Sequence, residues 1–140
     1  MTFAISEALQ VAVYEKLTGD AALADLVGSE IHDAPLPLAA ATVPEVHVTI
    51  GEERVRDGST KTSTGAVHDF TVTVHSRSQG FSKAKAAAGA VCDALIDAPL
   101  SLSRGVLINL RFLFARADRG PATAPRKVAL RFRAVLEDTV

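Results

Sequence analysis

Tryptophan is absent from this chain, and tyrosine and cysteine occur once each. The lone Cys92 cannot close an internal disulfide. It falls in a helical pattern beside Ala and Val, with no His or cation to activate it, and reads as a small buried hydrophobe. Tyr14 and six Phe are the only aromatic side chains. That leaves no aromatic-lined pocket to drive paired carboxylates apart in pKa, and no stacking platform for nucleobases. No run approaches the ~20 apolar residues of a membrane span. The opening Met1–Glu7 has no basic n-region, so no secretory signal is read, and a soluble protein of a reducing cytosol is expected. No internal repeat is present. The 140 residues fit one domain, 1–140, large enough to fold without a disulfide or metal staple.

Net charge is also small, −1, which argues against a general nucleic-acid binder. The average hides a polarity. Residues 1–100 carry seven Lys/Arg against thirteen Asp/Glu, whereas residues 101–133 carry eight basic groups against Asp118 alone. A split of this kind is either an association device or a solvated face.

Apolar residues at Ile5, Leu9, Val13 and Leu17, widened by Ala8 and Ala12, predict a helix over Ser6–Leu17. Asp20 as N-cap and Gly28 as a left-handed terminator bracket a second helix over Ala21–Val27. The prolines at 35, 37 and 44 mark a loop. Strict alternation then predicts strands over Glu45–Ile50 and Val67–Ser76, with a short strand possible at Glu30–Asp33. Between the two longer strands, Gly51–Gly65 is polar and rich in Gly, Ser and Thr, and reads as a long loop. A third helix is expected over Lys83–Ile96, capped by Ser82, with Ala84, Ala88, Val91, Leu95 and Ile96 on one face. Val106–Ala115 is apolar on both faces, apart from Asn109 and Arg111, and reads as a central strand. Arg126–Leu136 alternates, with Val128, Leu130, Phe132, Ala134 and Leu136 inward, and Gly120–Pro125 links the two. The order α-α-β-β-α-β-β predicts an α+β fold, one mostly antiparallel sheet with helices packed on one face.

No constellation carries chemistry. His68 and His75 lie an odd number apart, on opposite strand faces; His47 and His75 could be cross-strand neighbours on the outer face, but two ligands do not make a zinc site. Glu52 and Glu53 point opposite ways, and Asp93 and Asp97 share one helical face as solvated charges often do. Ser78-Gln79-Gly80-Phe81-Ser82-Lys83 has a single glycine and reads as a turn with an N-cap, not a phosphate loop. No catalytic residue, metal ligand or cofactor is therefore expected. The most informative feature is the basic cluster Arg104, Arg111, Arg116, Arg119, Arg126, Lys127, Arg131 and Arg133. With Arg54, Arg56 and Lys61 of the predicted loop, all of these but Arg104 form the candidate interface set, and protein contact suits them better than nucleobase recognition. A rival reading is a small α+β enzyme or ligand-binding module built on His47 and His75.

Several stretches together resemble a known family. They are Leu9-Gln10…Tyr14…Leu17…Asp20…Leu23…Leu26-Val27-Gly28…Ile31-His32-Asp33…Pro35, then Pro44-Glu45-Val46…Ile50-Gly51, His68…Val72-Thr73-Val74-His75-Ser76…Gly80, Ala84-Lys85…Ala90-Val91…Ala94-Leu95 and Leu130-Arg131-Phe132-Arg133-Ala134. The chain resembles the phage tail completion, or tail terminator, proteins, which also occur in gene transfer agents. His32 and His75 depart from the pattern, where Tyr and Trp are expected, and no packing role is carried over to them. The resemblance implies a structural virion protein without catalytic residues. It implies a homo-oligomeric ring of six that caps the tail tube at its final length and offers a surface to the head-side connector. Its implied partners are its own copies, the tail tube protein, head–tail connector proteins and DNA passing through without sequence-specific binding. Its implied place is the tail or neck of a virion or virus-like particle, assembled in the bacterial cytoplasm. Another neck component, an adaptor or stopper, would follow the same assembly logic. Two expectations follow from a ring. Its contacts join two different patches of the subunit; if these are the basic and acidic regions, assembly weakens as salt rises. The loop Gly51–Gly65 is expected to order only in the assembly.

Overall fold

A computed structural model of the chain describes residues 3–33, 44–77, 80–119 and 126–138. The proline loop over 34–43, the linker over 120–125 and positions 78 and 79 lie outside the described residues.

Among the described residues, three helices and five strands follow in the order α1 (Ser6–Thr18), α2 (Ala21–Val27), β1 (Ile31–His32), β2 (Val46–Asp57), β3 (Gly65–Ser76), α3 (Ser82–Leu95), β4 (Val106–Asp118) and β5 (Arg126–Glu137). The strands form one sheet in the order β1-β2-β3-β5-β4. Only the two-residue β1 is parallel to its neighbour; every other pair is antiparallel. The α+β architecture is the one the sequence predicts.

Each helix buries the face its spacing dictates. Ala8, Leu9, Ala12, Val13 and Leu17 of α1 are buried, as are Leu23 and Val27 of α2. Asp20 caps α2 by accepting from the Leu23 N–H at 2.9 Å, and Gly28 ends it at φ +62°, a value that a Cβ would oppose. In α3 the buried side is Ala84, Ala87, Ala88, Ala90, Val91, Ala94 and Leu95, and its small side chains let the helix lie close to the sheet. Beneath the helices, Val48, Ile50, Phe70, Val72, Val74, Val128, Leu130, Phe132, Ala134 and Leu136 complete one apolar cluster. The helices thus occupy one face of the sheet.

Five expectations need correction. First, Gly51–Gly65 is not a loop: β2 continues to Asp57, paired with β3 down to Ala66, and only residues 58–64 form the turn. The polar composition of 51–57 conceals a strand, because a bulge between Gly51 and Glu53 shifts the alternation and Glu52 takes φ +45°. Second, β4 is not central but lies at the sheet edge, outermost beyond β5. Third, Ser82 is the first residue of α3 and not its cap; Phe81 holds that position without a side-chain bond. Fourth, Ile96 lies past the helix end and is exposed. Fifth, Asp97, at φ +57° beyond the helix, shares no helical face with Asp93. Its N–H instead donates to the Leu110 carbonyl at 3.0 Å, fastening the start of the α3–β4 connection to β4.

Candidate assembly surface

The pairing registers decide which charged side chains meet. Arg54, Asp69, Arg133 and Arg111 stand in one row across β2, β3, β5 and β4. Thr71, Arg131 and Phe114 form the next row, and the following ones hold Thr73, Ala129 and Arg116, then His47, His75, Lys127 and Asp118. All lie on the sheet face opposite the helices. Seven of the ten candidate cations therefore share that face: Arg54, Arg56, Arg111, Arg116, Lys127, Arg131 and Arg133.

The remaining three are elsewhere. Lys61 sits in the turn at residues 58–64, Arg119 lies just past β4, and Arg126 turns to the helix face over the Phe81 ring, 5.7 Å from its centroid. Arg104, the other basic residue of the C-terminal region, makes a bidentate pair with Asp138 at 2.8 and 3.0 Å.

Within the basic face the cations are not equivalent. Arg133 grips Asp69 through two hydrogen bonds of 2.8 and 2.9 Å, and these hold the Asp69 carboxyl below its ordinary range. Arg131 donates to the Thr71 hydroxyl at 3.1 Å. Arg54, Arg111 and Arg116 are exposed and have no ion-pair partner among the described residues.

His32, His47 and His75 pack against one another. His47 and His75 are cross-strand partners, as their spacing suggests, and their rings stack at 4.5 Å, 4° from parallel. His47 is buried, not exposed. His32 meets His47 edge-on at 6.3 Å. Two positions where the family resemblance leads one to expect aromatic residues thus hold imidazoles that do pack as rings. Burial, then repulsion from His47 and Lys127, pushes the His75 pKa down to about 4, and burial followed by repulsion from His32 lowers His47. His75 Nε2 lies 2.9 Å from the Thr49 hydroxyl.

One buried contact was not foreseen. The β2 bulge turns Glu53 to the helix side, where its carboxylate lies 3.1 Å from Nδ1 of the fully buried His68 and accepts from the Ser6 hydroxyl at the start of α1. Burial pushes this carboxyl up, but the bonds from His68 and Ser6 outweigh it and hold it below its ordinary range. The only sequence signal is Gly51 interrupting an alternating strand, a mark of bulges. The cleft beside Glu52 and Glu53 holds about 80 Å³, against several hundred for a ligand pocket. A groove of about 600 Å³ between Asp97–Leu102 and Gly105–Leu110 has Asp97 as its one ionisable side chain. Among the described residues no group of three or more His, Cys, Asp or Glu could hold a metal, and no helix is long and apolar enough to cross a membrane. Cys92 is half-buried and its thiol is raised by burial, away from thiolate chemistry.

The edge strand is the other distinctive surface. Val106, Ile108, Phe112 and Phe114 of β4 are 49, 51, 38 and 57% exposed. This thirteen-residue strand exposes those side chains at the sheet edge, although Arg111, Arg116 and two register shifts blunt it in part.

A family model described as tail completion protein gp17 matches residues 11–137. Among solved structures, a chain in the virion of a native gene transfer agent particle is similar over 97% of this chain and 99% of its own length, with 48% identity and a TM-score of 0.87. No curated protein matches.

Proposed function

The chain belongs to the tail completion protein gp17 family, and from that premise we propose that it is the ring-forming terminator of a virion tail. Membership of that family and likeness to a gene transfer agent chain make it a structural tail or neck protein that associates with other components there. The finer reading is ours. Six copies close a ring, the ring caps the tail tube at its final length, and its other surface receives the head-side connector. A subunit of 140 residues has a diameter of roughly 35–40 Å by the usual scaling, so six leave a central opening of similar width. DNA passes through such an opening without sequence-specific contact, and a face of mostly arginine cations suits phosphate of any sequence.

The observation that carries the ring is the open apolar edge of β4, which a lone subunit leaves in water and a neighbour would cover. The test is native mass and negative-stain imaging of the full chain, alone and with tail tubes. Rings, free or at tube ends, are expected. A protein that stays monomeric at every concentration and does not bind tubes would overturn the reading.

A further inference from the structure

Among the described residues the sheet has two open edges, and their backbones can be read in detail. On β4, the Leu110 carbonyl accepts from Asp97 and so points away from β5. Backbone groups alternate along a strand, so those of Phe112 point the same way. A register shift falls between Phe112 and Phe114, after which Phe114 is opposite Arg131, and the outward positions become Ala115 and Ala117. On β2, the Val48 N–H donates to Glu30 and so points away from β3. Counting through the bulge, with Glu53 opposite Phe70 and Val55 opposite His68, the outward groups of the distal half belong to Glu53 and Val55. Among the described residues β1 covers β2 only at Val48 and Thr49, and no strand lies beyond β4.

We propose that the Phe112–Ala117 edge of β4 pairs with the Glu53–Arg56 edge of β2 in a second copy, so that the sheet runs without a break from subunit to subunit. The proposal rests on the ring reading above and names its seam. Strand direction supports it. β2, β3, β5 and β4 alternate up, down, up and down, so β4 meets the next β2 antiparallel, and the alternation repeats for any number of copies. The edges also differ from each other, as a head-to-tail ring requires. Ala115 and Ala117 are small enough to admit a facing strand, and Val55 offers an apolar side chain on the same face as theirs. Helices then lie on one side of the continuous sheet and the arginine face on the other. Arg54 and Arg56 approach Arg111 and Arg116 across the seam, a like-charge crowding that anions relieve.

Ala115→Pro tests this, because proline is tolerated where an edge N–H points outward, yet it removes that donor from any new ladder. The variant should keep its circular dichroism and raise the concentration at which rings form by about tenfold or more. Thr73→Glu, in the middle of the helix-free face and remote from both edges, should assemble normally. In wild-type rings the amides of Glu53, Val55, Ala115 and Ala117 should exchange at least about tenfold more slowly than in the monomer; this readout decides the matter if the proline variant fails to fold. Rings formed equally well by wild type and Ala115→Pro, or unprotected edge amides within rings, would overturn the seam and leave the ring standing. Loss of assembly in Thr73→Glu alone would point to packing of the sheet face on a neighbour's helices. Wild-type protein that forms no ring overturns both.

Discussion

β4 and β5 are neighbours of nearly equal length, and both are rich in apolar residues, yet they meet opposite fates. β5 alternates, buries Val128, Leu130, Phe132, Ala134 and Leu136 and lies between two strands; β4 mixes Arg111 and Arg116 with apolar residues and lies at the margin with four large apolar side chains exposed. In β5 the pattern reports burial within the chain. In β4 the exposed apolar side chains have no cover among the described residues, and the proposed ring would supply it.

Paired truncations sharpen the contrast most. Phe132→Ala should destabilise the isolated subunit by about 3–5 kcal/mol, because Phe132 is fully buried between Phe70 and Phe112. Phe114→Ala should stay within about 0.5 kcal/mol in the same denaturation experiment, yet impair ring formation. If Phe114→Ala also unfolds the subunit, β4 is core in its own right and the contrast fails.

A second, smaller effect separates the two sheet faces by pH. Imidazole titrates near 6.5 when unfolded, whereas folded His75 titrates at about 4. Between these values the unfolded chain holds a proton that the folded chain refuses, so stability is level above about pH 6.5 and falls on acidification to about pH 4. His47 acts in the same sense. Allowing for partial exposure, the loss is about 1–3 kcal/mol. Glu53 and Asp69 extend it to lower pH, as they lose ionised forms that the fold favours. Denaturation midpoints from pH 4 to 8 should show the slope, and His75→Gln should flatten it.

The smallest expected effect concerns salt. The chain's charge asymmetry alone suggests that salt weakens the ring, while the proposed seam brings arginines together and has salt strengthen it by a few-fold in assembly concentration. Arg111→Glu and Arg116→Glu are the clean probes, because Arg133→Glu would also place a second carboxylate beside Asp69. Weakening by salt would favour contact between the basic face and the acidic part of the chain within residues 1–100.

Much of this was legible in the residues. The spacing in α1, the Asp20 cap and the alternation of β5 are local signals backed by packing, and they carry through. β4's position was not legible, because a strand's rank in a sheet depends on partners remote in sequence. The distal half of β2 was hidden by its polar side chains, since its backbone ladder makes no demand on composition. Basic residues could be picked out as a set, but only register showed that seven share one face, that Arg133 is already engaged and that Arg126 lies on the other side.

The irregularities of the sheet fall only in its outer long strands: one in β2, between Gly51 and Glu53, and two in β4, between Leu107 and Asn109 and between Phe112 and Phe114. β3 and β5 pair with each other through twelve positions without interruption. Bulges bend a strand and increase its twist, so bending is expected at the margins of this sheet and not in its middle. Sticky edges on a flat sheet lead to an endless fibre, since nothing in flat growth brings the last copy back to the first. Curled margins turn each added copy through an angle. In the proposed ring, the extra residues at the margins would be what makes growth stop.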